Sequence, residues 1–349
     1  MVELEVDVTD AAGLGEPVQV ALTVTLPESV STPPVVCFGY PGGGYSRGYF
    51  TFDLAGSSKG GQAGWHAQRG WIFVSCDHLG VGDSSLPDAS RLTFTPVVAA
   101  NHRGATVVLE RLANGTLADG FAAIDDPVVI GIGQSMGGSL VLVQQARHDT
   151  FDAIGVLGFS AIHTYPPTRP DMPDQAFPYI PRDSTLDAGV MVNPAELAAR
   201  LALWEGVDQS RDVHLMAWGF HFDDVPEELV RQDLEDFPTR NGRSLPWASP
   251  TVPGLAVWLL SPGAVAAEAA SILKPVLVAS GERDVVPDPW MEPKAYKACS
   301  DISVFVCPRM GHMHNFAGTR ELLWRRIESF AHGVASLKGH ATSWVRSKQ

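Results

Sequence analysis

The sequence predicts an α/β protein: a mainly parallel, eight-stranded sheet flanked by helices, with an inserted, mostly helical cap. Three observations carry this. Short apolar runs alternate with amphipathic segments, the pattern of βαβ units. Most of the runs are continuously apolar, as strands covered on both faces must be. The alternation breaks once, over residues 161–274, a stretch too long for a structureless loop in a compact domain.

Each element follows from its own residues. Val2–Val8 and Val18–Leu26 read as a first pair of strands. Pro34–Tyr40 is a buried strand that ends at the glycine cluster Pro41-Gly42-Gly43-Gly44. Gln62–Gln68 has helical spacing, stopped by Gly70, and Trp71–Asp77 is the next buried strand. Pro96–Leu112 is a helix closed by Asn114-Gly115. Val128–Gly133 is a strand that runs into Gln134-Ser135-Met136-Gly137-Gly138, and Ser139–Ala146 continues as a helix. Ala153–Phe159, Val276–Ser280 and Ile302–Cys307 complete the strands. A helix is expected near Glu292–Ala298 and a last one over Arg320–Leu337. The core therefore comprises residues 1–160 and 275–337, with residues 161–274 as cap and 338–349 as a frayed polar tail. Within the cap, Pro194–Trp204 and Pro226–Phe237 have helical spacing.

Composition removes several classes. Across 349 residues, 25 Lys+Arg face 39 Asp+Glu, a net charge of −14 with no basic cluster, which argues against nucleic acid as a partner. At 45% hydrophobic residues the chain is not disordered. No apolar run reaches the roughly 18 residues of a membrane span, and the opening Met1-Val2-Glu3-Leu4-Glu5 carries no secretory leader. Cys37, Cys76, Cys299 and Cys307 include no C-x-x-C pair, so neither zinc nor redox chemistry is expected. A cytoplasmic protein with reduced thiols is expected, and an exposed cap face or edge strand could support a homo-oligomer.

Gly133-Gln134-Ser135-Met136-Gly137 matches G-x-S-x-G between a strand and a helix. A serine presented on so sharp a turn needs small residues two before and two after it. A dinucleotide fingerprint fails because its third glycine would fall on Met136. Serine is a weak nucleophile and requires a base, itself oriented by an acid. Asp284 lies just past the Val276–Ser280 strand, and its neighbours Glu282 and Asp288 read as solvated loop charges. Ser160-Ala161-Ile162-His163, after the preceding strand, offers no carboxylate. After the last strand, Gly311-His312-Met313-His314 offers two histidines. His312 directly follows a turn glycine and is the expected base, whereas His314, its rival, is otherwise expected to line the pocket or cap the next segment. Backbone N–H groups that stabilise an oxyanion are expected from Met136 and from Gly43, with Tyr40 and Gly44 beside it.

With these residues in place, the chain resembles a serine-type α/β-hydrolase over nearly its whole length. Asp77-His78-Leu79-Gly80-Val81-Gly82-Asp83-Ser84 is similar to the D-x-x-G-x-G-x-S turn common in that superfamily, where it shapes the loop after the fourth strand. More narrowly, Pro41–Phe50, Gly133–Ser139, Gly281–Pro289 and His312–Arg320 resemble a bacterial branch of ester and lactone hydrolases. That branch includes hydrolases of zearalenone, a resorcylic acid macrolactone. The better-known lactonases for that substrate carry a Glu after the sixth strand where this chain has Ser160, which implies kinship of fold only.

The resemblance implies a small-molecule ester or lactone substrate and no cofactor or metal. Trp204, Trp218, Phe220, His221, Phe222, Trp247 and Trp258 bring aromatic bulk to the cap. Tyr40, Gly44, His314, Trp218 and Phe220 are the expected substrate contacts, and a bulky, apolar or aromatic substrate is favoured. C–C bond hydrolysis or cofactor-free haloperoxidation would use the same triad, and a hydrolase-like binding protein is the non-enzymatic alternative.

Overall fold

The structure, a computed structural model, describes residues 1–54, 59–167, 169–170, 180–182, 216–238 and 240–346. Eight strands form one sheet: β1 (Val2–Asp7), β2 (Gln19–Thr25), β3 (Val35–Tyr40), β4 (Ile72–Cys76), β5 (Val128–Gln134), β6 (Ala153–Leu157), β7 (Val276–Gly281) and β8 (Ile302–Cys307). Their order is β1-β2-β4-β3-β5-β6-β7-β8. β1 pairs antiparallel with β2 and β2 antiparallel with β4, and every later pairing is parallel.

The described helices are α1 (Thr9–Ala12), α2 (Gly61–Ala67), α3 (Phe94–Ala113), α4 (Met136–His148), α5 (Ala217–Phe220), α6 (Glu227–Leu234), α7 (Ala266–Ser271) and α8 (Arg320–Arg346). They cover both faces of the sheet, which explains its continuously apolar strands. Along β3, Val36, Phe38 and Tyr40 enter one core and Val35 and Cys37 the other, the period-two alternation of a strand. α3 and α4 lie over the first face, and α8 adds Leu323, Ile327, Ala331 and Val334 to the second.

Two expectations are corrected. Pro289–Lys294 is a 3₁₀ turn, not an α-helix near Glu292–Ala298. Pro293 has no N–H to give to a preceding carbonyl, which shortens the element. The expected tail beyond residue 337 is instead the end of α8, which runs to Arg346. Lys338 anchors it, reaching the Pro127 carbonyl at 2.7 Å and the carboxylates of Asp126 at 2.8 Å and Asp152 at 3.1 Å.

In the 161–274 stretch, α6 matches the C-terminal helical segment expected of the cap, and Pro194–Trp204 lies outside the described residues. Val252, Leu255, Trp258, Val265, Ala269 and Ile272 join the sheet's own core. No helix among the described residues is long and apolar enough to cross a membrane.

β5 is the strand that leads to the candidate site, and it carries glycine where α4 and Phe151 crowd it. A Cβ at Gly131 would lie 2.6 Å from the Phe151 ring, which packs on Phe38 with centroids 5.9 Å apart. Overfilling a packed core costs about 1–3 kcal/mol. Gly131→Ala is therefore expected to lower unfolding free energy by about that much, read as a lower urea midpoint at unchanged slope.

Candidate active site

Ser135 directly follows β5 with φ 55° and ψ −119°, a strained conformation for a residue with a side chain, and α4 starts at the next residue. The turn is tight enough to demand both flanking glycines. A Cβ at Gly133 would lie 2.0 Å from the Gly137 carbonyl oxygen, and one at Gly137 would lie 2.1 Å from the Tyr40 carbonyl oxygen. Ser135 N donates to Leu157 O at 2.8 Å, which ties the turn to the end of β6.

Asp284 follows β7 and is buried. Its carboxylate accepts four hydrogen bonds: Gly281 N at 2.8 Å, Val285 N at 2.7 Å, His312 Nδ1 at 2.6 Å and His314 Nε2 at 2.7 Å. Burial alone would raise the Asp284 pKa. The two imidazoles and their hydrogen bonds outweigh it and hold the carboxyl well below the usual range.

Both histidines are buried, and they present different faces. His312 uses Nδ1 on the acid and turns Nε2 towards Gln134, the residue before Ser135, whose Nε2 is 3.4 Å away. His314 uses Nε2 on the acid and leaves Nδ1 buried without a partner. The expectation that His314 lines the pocket is thus corrected: it is a second donor to the acid. Among the described residues no hydrogen bond joins the Ser135 hydroxyl to His312. Gln134 Nε2 donates to His312 O at 2.9 Å instead and links the two loops.

The glycine loop arches over the serine. A Cβ at Gly42 would lie 3.1 Å from Ser135 Cβ, and one at Gly43 would lie 3.9 Å from Met136 Sδ. Gly43 and Met136 therefore adjoin each other beside Ser135. The Gly44 carbonyl accepts from Ser249 N at 3.1 Å and from Arg240. On the loop's other flank, His78 Nε2 is 3.2 Å from Pro41 O, and the Arg47 side chain pairs with the buried Asp77 carboxylate. Burial lowers the His78 pKa to about 4, so this imidazole is neutral and donates to Pro41. Tyr40, expected near substrate, is corrected: its ring is buried in the core, stacked on His78 at 5.6 Å.

Phe220 lies with its ring 4.9 Å from the His312 imidazole, and the backbones interlock through His312 N to Gly219 O at 2.9 Å. Trp218 carries the Arg283 guanidinium at 4.4 Å, with Phe222 at 4.6 Å. Trp247 and Trp258 are buried packing residues, His221 bonds Asp233, and Trp204 lies outside the described residues.

Sequence reading missed two carboxylates. Glu292 reaches the end of β6 from the 3₁₀ turn, accepting from Ser160 Oγ and, at 2.9 Å, from Ala161 N. Burial pushes its pKa up. Asp233, buried on α6, binds the glycine loop through Tyr45 Oη at 2.7 Å. Neither stands in a recognisable motif, so only folding reveals them.

A sequence profile of the alpha/beta hydrolase family matches residues 35–323, and the chain belongs to that family. No curated protein matches it significantly. Solved structures resemble it in fold. Proline iminopeptidase of Mycobacterium smegmatis superposes with TM-score 0.58 at 18% identity, covering 91% of this chain and 95% of that one. A thermophilic esterase of Thermogutta terrifontis gives 0.56 at 15% identity, covering 95% and 99%. A bromoperoxidase of Bacillus anthracis gives 0.55 at 18% identity, covering 94% and 99%. At such identities the likeness concerns the fold.

A carboxyl whose folded pKa lies below its unfolded value stabilises the fold above the unfolded pKa, and that stabilisation fades as pH falls through the folded one. The stability gap between the native chain and Asp284→Asn should be widest above about pH 5 and narrow below about pH 4. Urea unfolding from pH 3 to 7 reads this directly, and a gap independent of pH would contradict it.

Proposed function

We propose that the protein is a serine hydrolase that cleaves a carboxylic ester or lactone. The observation that carries this reading is the orientation of His312, with Nδ1 on a buried, ionised Asp284 and Nε2 facing the nucleophile turn. His312 Nε2 then carries the lone pair that takes a proton, facing only the Gln134 amide at 3.4 Å, a long contact that an incoming hydroxyl can displace. His314, bonded through Nε2, has its remaining nitrogen buried away from any partner, which favours His312 as base.

In this mechanism the Ser135 hydroxyl swings onto His312 Nε2 as substrate binds, a tightening common in such sites. His312 takes the proton while Oγ attacks the carbonyl carbon, and Asp284 stabilises the imidazolium. The N–H groups of Gly43 and Met136 hold the oxyanion, with the N-terminus of α4 adding its dipole. His312 returns the proton to the leaving alcohol. Water then attacks the acyl-enzyme through the same base and releases the acid and free Ser135. In a lactone the alcohol and acid remain one molecule, so the ring opens.

Apolar neighbours of the glycine loop support a bulky apolar substrate. A Cβ at Gly44 would lie 3.0 Å from the Phe237 ring, and one at Gly43 would lie 3.6 Å from Val252 Cγ1. With Phe220 against His312, these put hydrocarbon beside the glycine loop and the base. A resorcylic macrolactone of the zearalenone type has that character.

Wild-type protein and Ser135→Ala should be incubated with a nitrophenyl ester and with zearalenone, and the products analysed. Turnover by the wild type, lost by roughly 10⁴-fold or more in a folded Ser135→Ala, is expected. Ester cleavage with an intact macrolactone would keep the hydrolase and discard that substrate. Equal turnover by both proteins would end the serine mechanism. His312→Gln should lose far more kcat than His314→Gln, and the reverse order would reassign the base.

A further inference from the structure

Outside the proposed triad, the protein buries an ion pair with bonds that lead back to the site from two sides. Asp233 and Arg240 are each 0% exposed. The Asp233 carboxylate accepts from four side chains: Tyr45 Oη at 2.7 Å, Trp247 Nε1 at 2.8 Å, His221 Nε2 at 2.9 Å and Arg240 Nη2 at 3.1 Å. Arg240 also donates to the Asp233 carbonyl at 2.8 Å, to the Pro238 carbonyl at 3.2 Å and to the Gly44 carbonyl. Its guanidinium lies 4.9 Å from the centre of the Tyr45 ring.

The charge states suit directed bonding. Burial would raise the Asp233 pKa, but the bond and charge of His221, the charge of Arg240 and the Tyr45 bond outweigh it and hold it ionised. Burial pushes the Tyr45 phenol well up, so it stays a donor. A pair of this kind is a poor source of stability, because desolvating two charges cancels most of their attraction. What four directed bonds do provide is a fixed geometry.

That geometry spans both halves of the site. Tyr45 and Gly44 belong to the loop that carries Gly43. His221 adjoins Phe220, whose carbonyl accepts from Met313 N at 2.8 Å and whose ring lies against His312. One buried carboxylate is thus three short steps from the oxyanion donor, through Tyr45 and Gly44, and three from the base, through His221 and Phe220.

We propose that Asp233 and Arg240 are positioning residues that hold the Gly43 peptide in register with Ser135 and His312. The proposal rests on the hydrolase reading above and adds a role for a pair remote from the reacting atoms. Misplacing a catalytic group by about 1 Å costs on the order of 100-fold in rate. Loosening this clamp should therefore lower kcat rather than raise KM.

The test uses Tyr45→Phe, which deletes one bond to Asp233 and keeps the ring, with Asp233→Asn as the stronger variant. Hydrolysis of a nitrophenyl ester and inhibition by an aryl trifluoromethyl ketone, whose serine adduct bears an oxyanion, are measured beside thermal unfolding. Tyr45→Phe is expected to lose roughly 10-fold in kcat, with KM within about twofold. Affinity for the ketone should fall in parallel, at a temperature where both proteins are folded. A folded Tyr45→Phe with native kcat and native ketone affinity overturns the proposal. Should Asp233→Asn not fold, Trp247→Phe replaces it, with the same expectation and the same overturning result. An inert wild type, towards ester and ketone alike, overturns the hydrolase reading and this proposal with it.

Discussion

A side chain at position 133 or 137 would strike a backbone carbonyl, of Gly137 or of Tyr40. That crowding at the end of β5 is the constraint from which the rest of the candidate site follows. It forces Ser135 into a left-handed conformation, starts α4 immediately after it and brings the glycine loop within reach of its side chain. The local strain persists because the surrounding backbone leaves no other arrangement. Ser135 N is tied to Leu157 O on one side, and β3 lies hydrogen-bonded to β5 on the other.

Around that turn, three buried aspartates each organise a loop. Asp77 holds Arg47 and accepts from Asp83 N at 3.0 Å, which shapes the turn after β4 and supports the far end of the glycine loop. Asp233 grips the same loop from the cap side, through Tyr45. Asp284 gathers both histidines after β8. In each case backbone N–H groups or fixed donor side chains satisfy a carboxylate that water cannot reach, which turns a desolvation cost into a rigid joint. Such joints fix the direction of loops whose apolar residues, among them Tyr45, Met310 and Met313, are packed into the core.

Much of this was legible in the sequence. Strand positions follow from continuous apolar runs, because a sheet covered on both faces leaves no other use for them. Ser135 could be read from its flanking glycines, and Asp284 and His312 from their places after β7 and β8. Family membership follows the same motifs, from Pro41 to His312. Other features were hidden for physical reasons. Tyr40 alternates into the core because strand periodicity continues to the last residue of β3. Gly311 singles out His312 over His314, but side-chain direction alone reveals that His314 also binds the acid, through Nε2 where His312 uses Nδ1. Asp233, Arg240 and Glu292 act across long sequence separations, through contacts that no local pattern encodes. The end of α8 was misread because a polar, basic composition resembles a tail until Lys338 meets Asp126 and Asp152.

The order of pairing in the sheet carries a consequence for how the molecule assembles. β3, β4, β5 and β6 come from one stretch of chain, whereas β7 joins β6 only across everything between Leu157 and Val276. Closing so long a loop adds little to the thermodynamic cost, since that cost grows only as the logarithm of length. It does add delay, because distant contacts return nothing until the closure is made. The turn bearing Ser135 can therefore form early, while Asp284 and His312 arrive with the last two strands. On the proposed serine-hydrolase reading, a newly made chain would present Ser135 well before the groups that activate it, and reactivity would mark completion of the whole sheet.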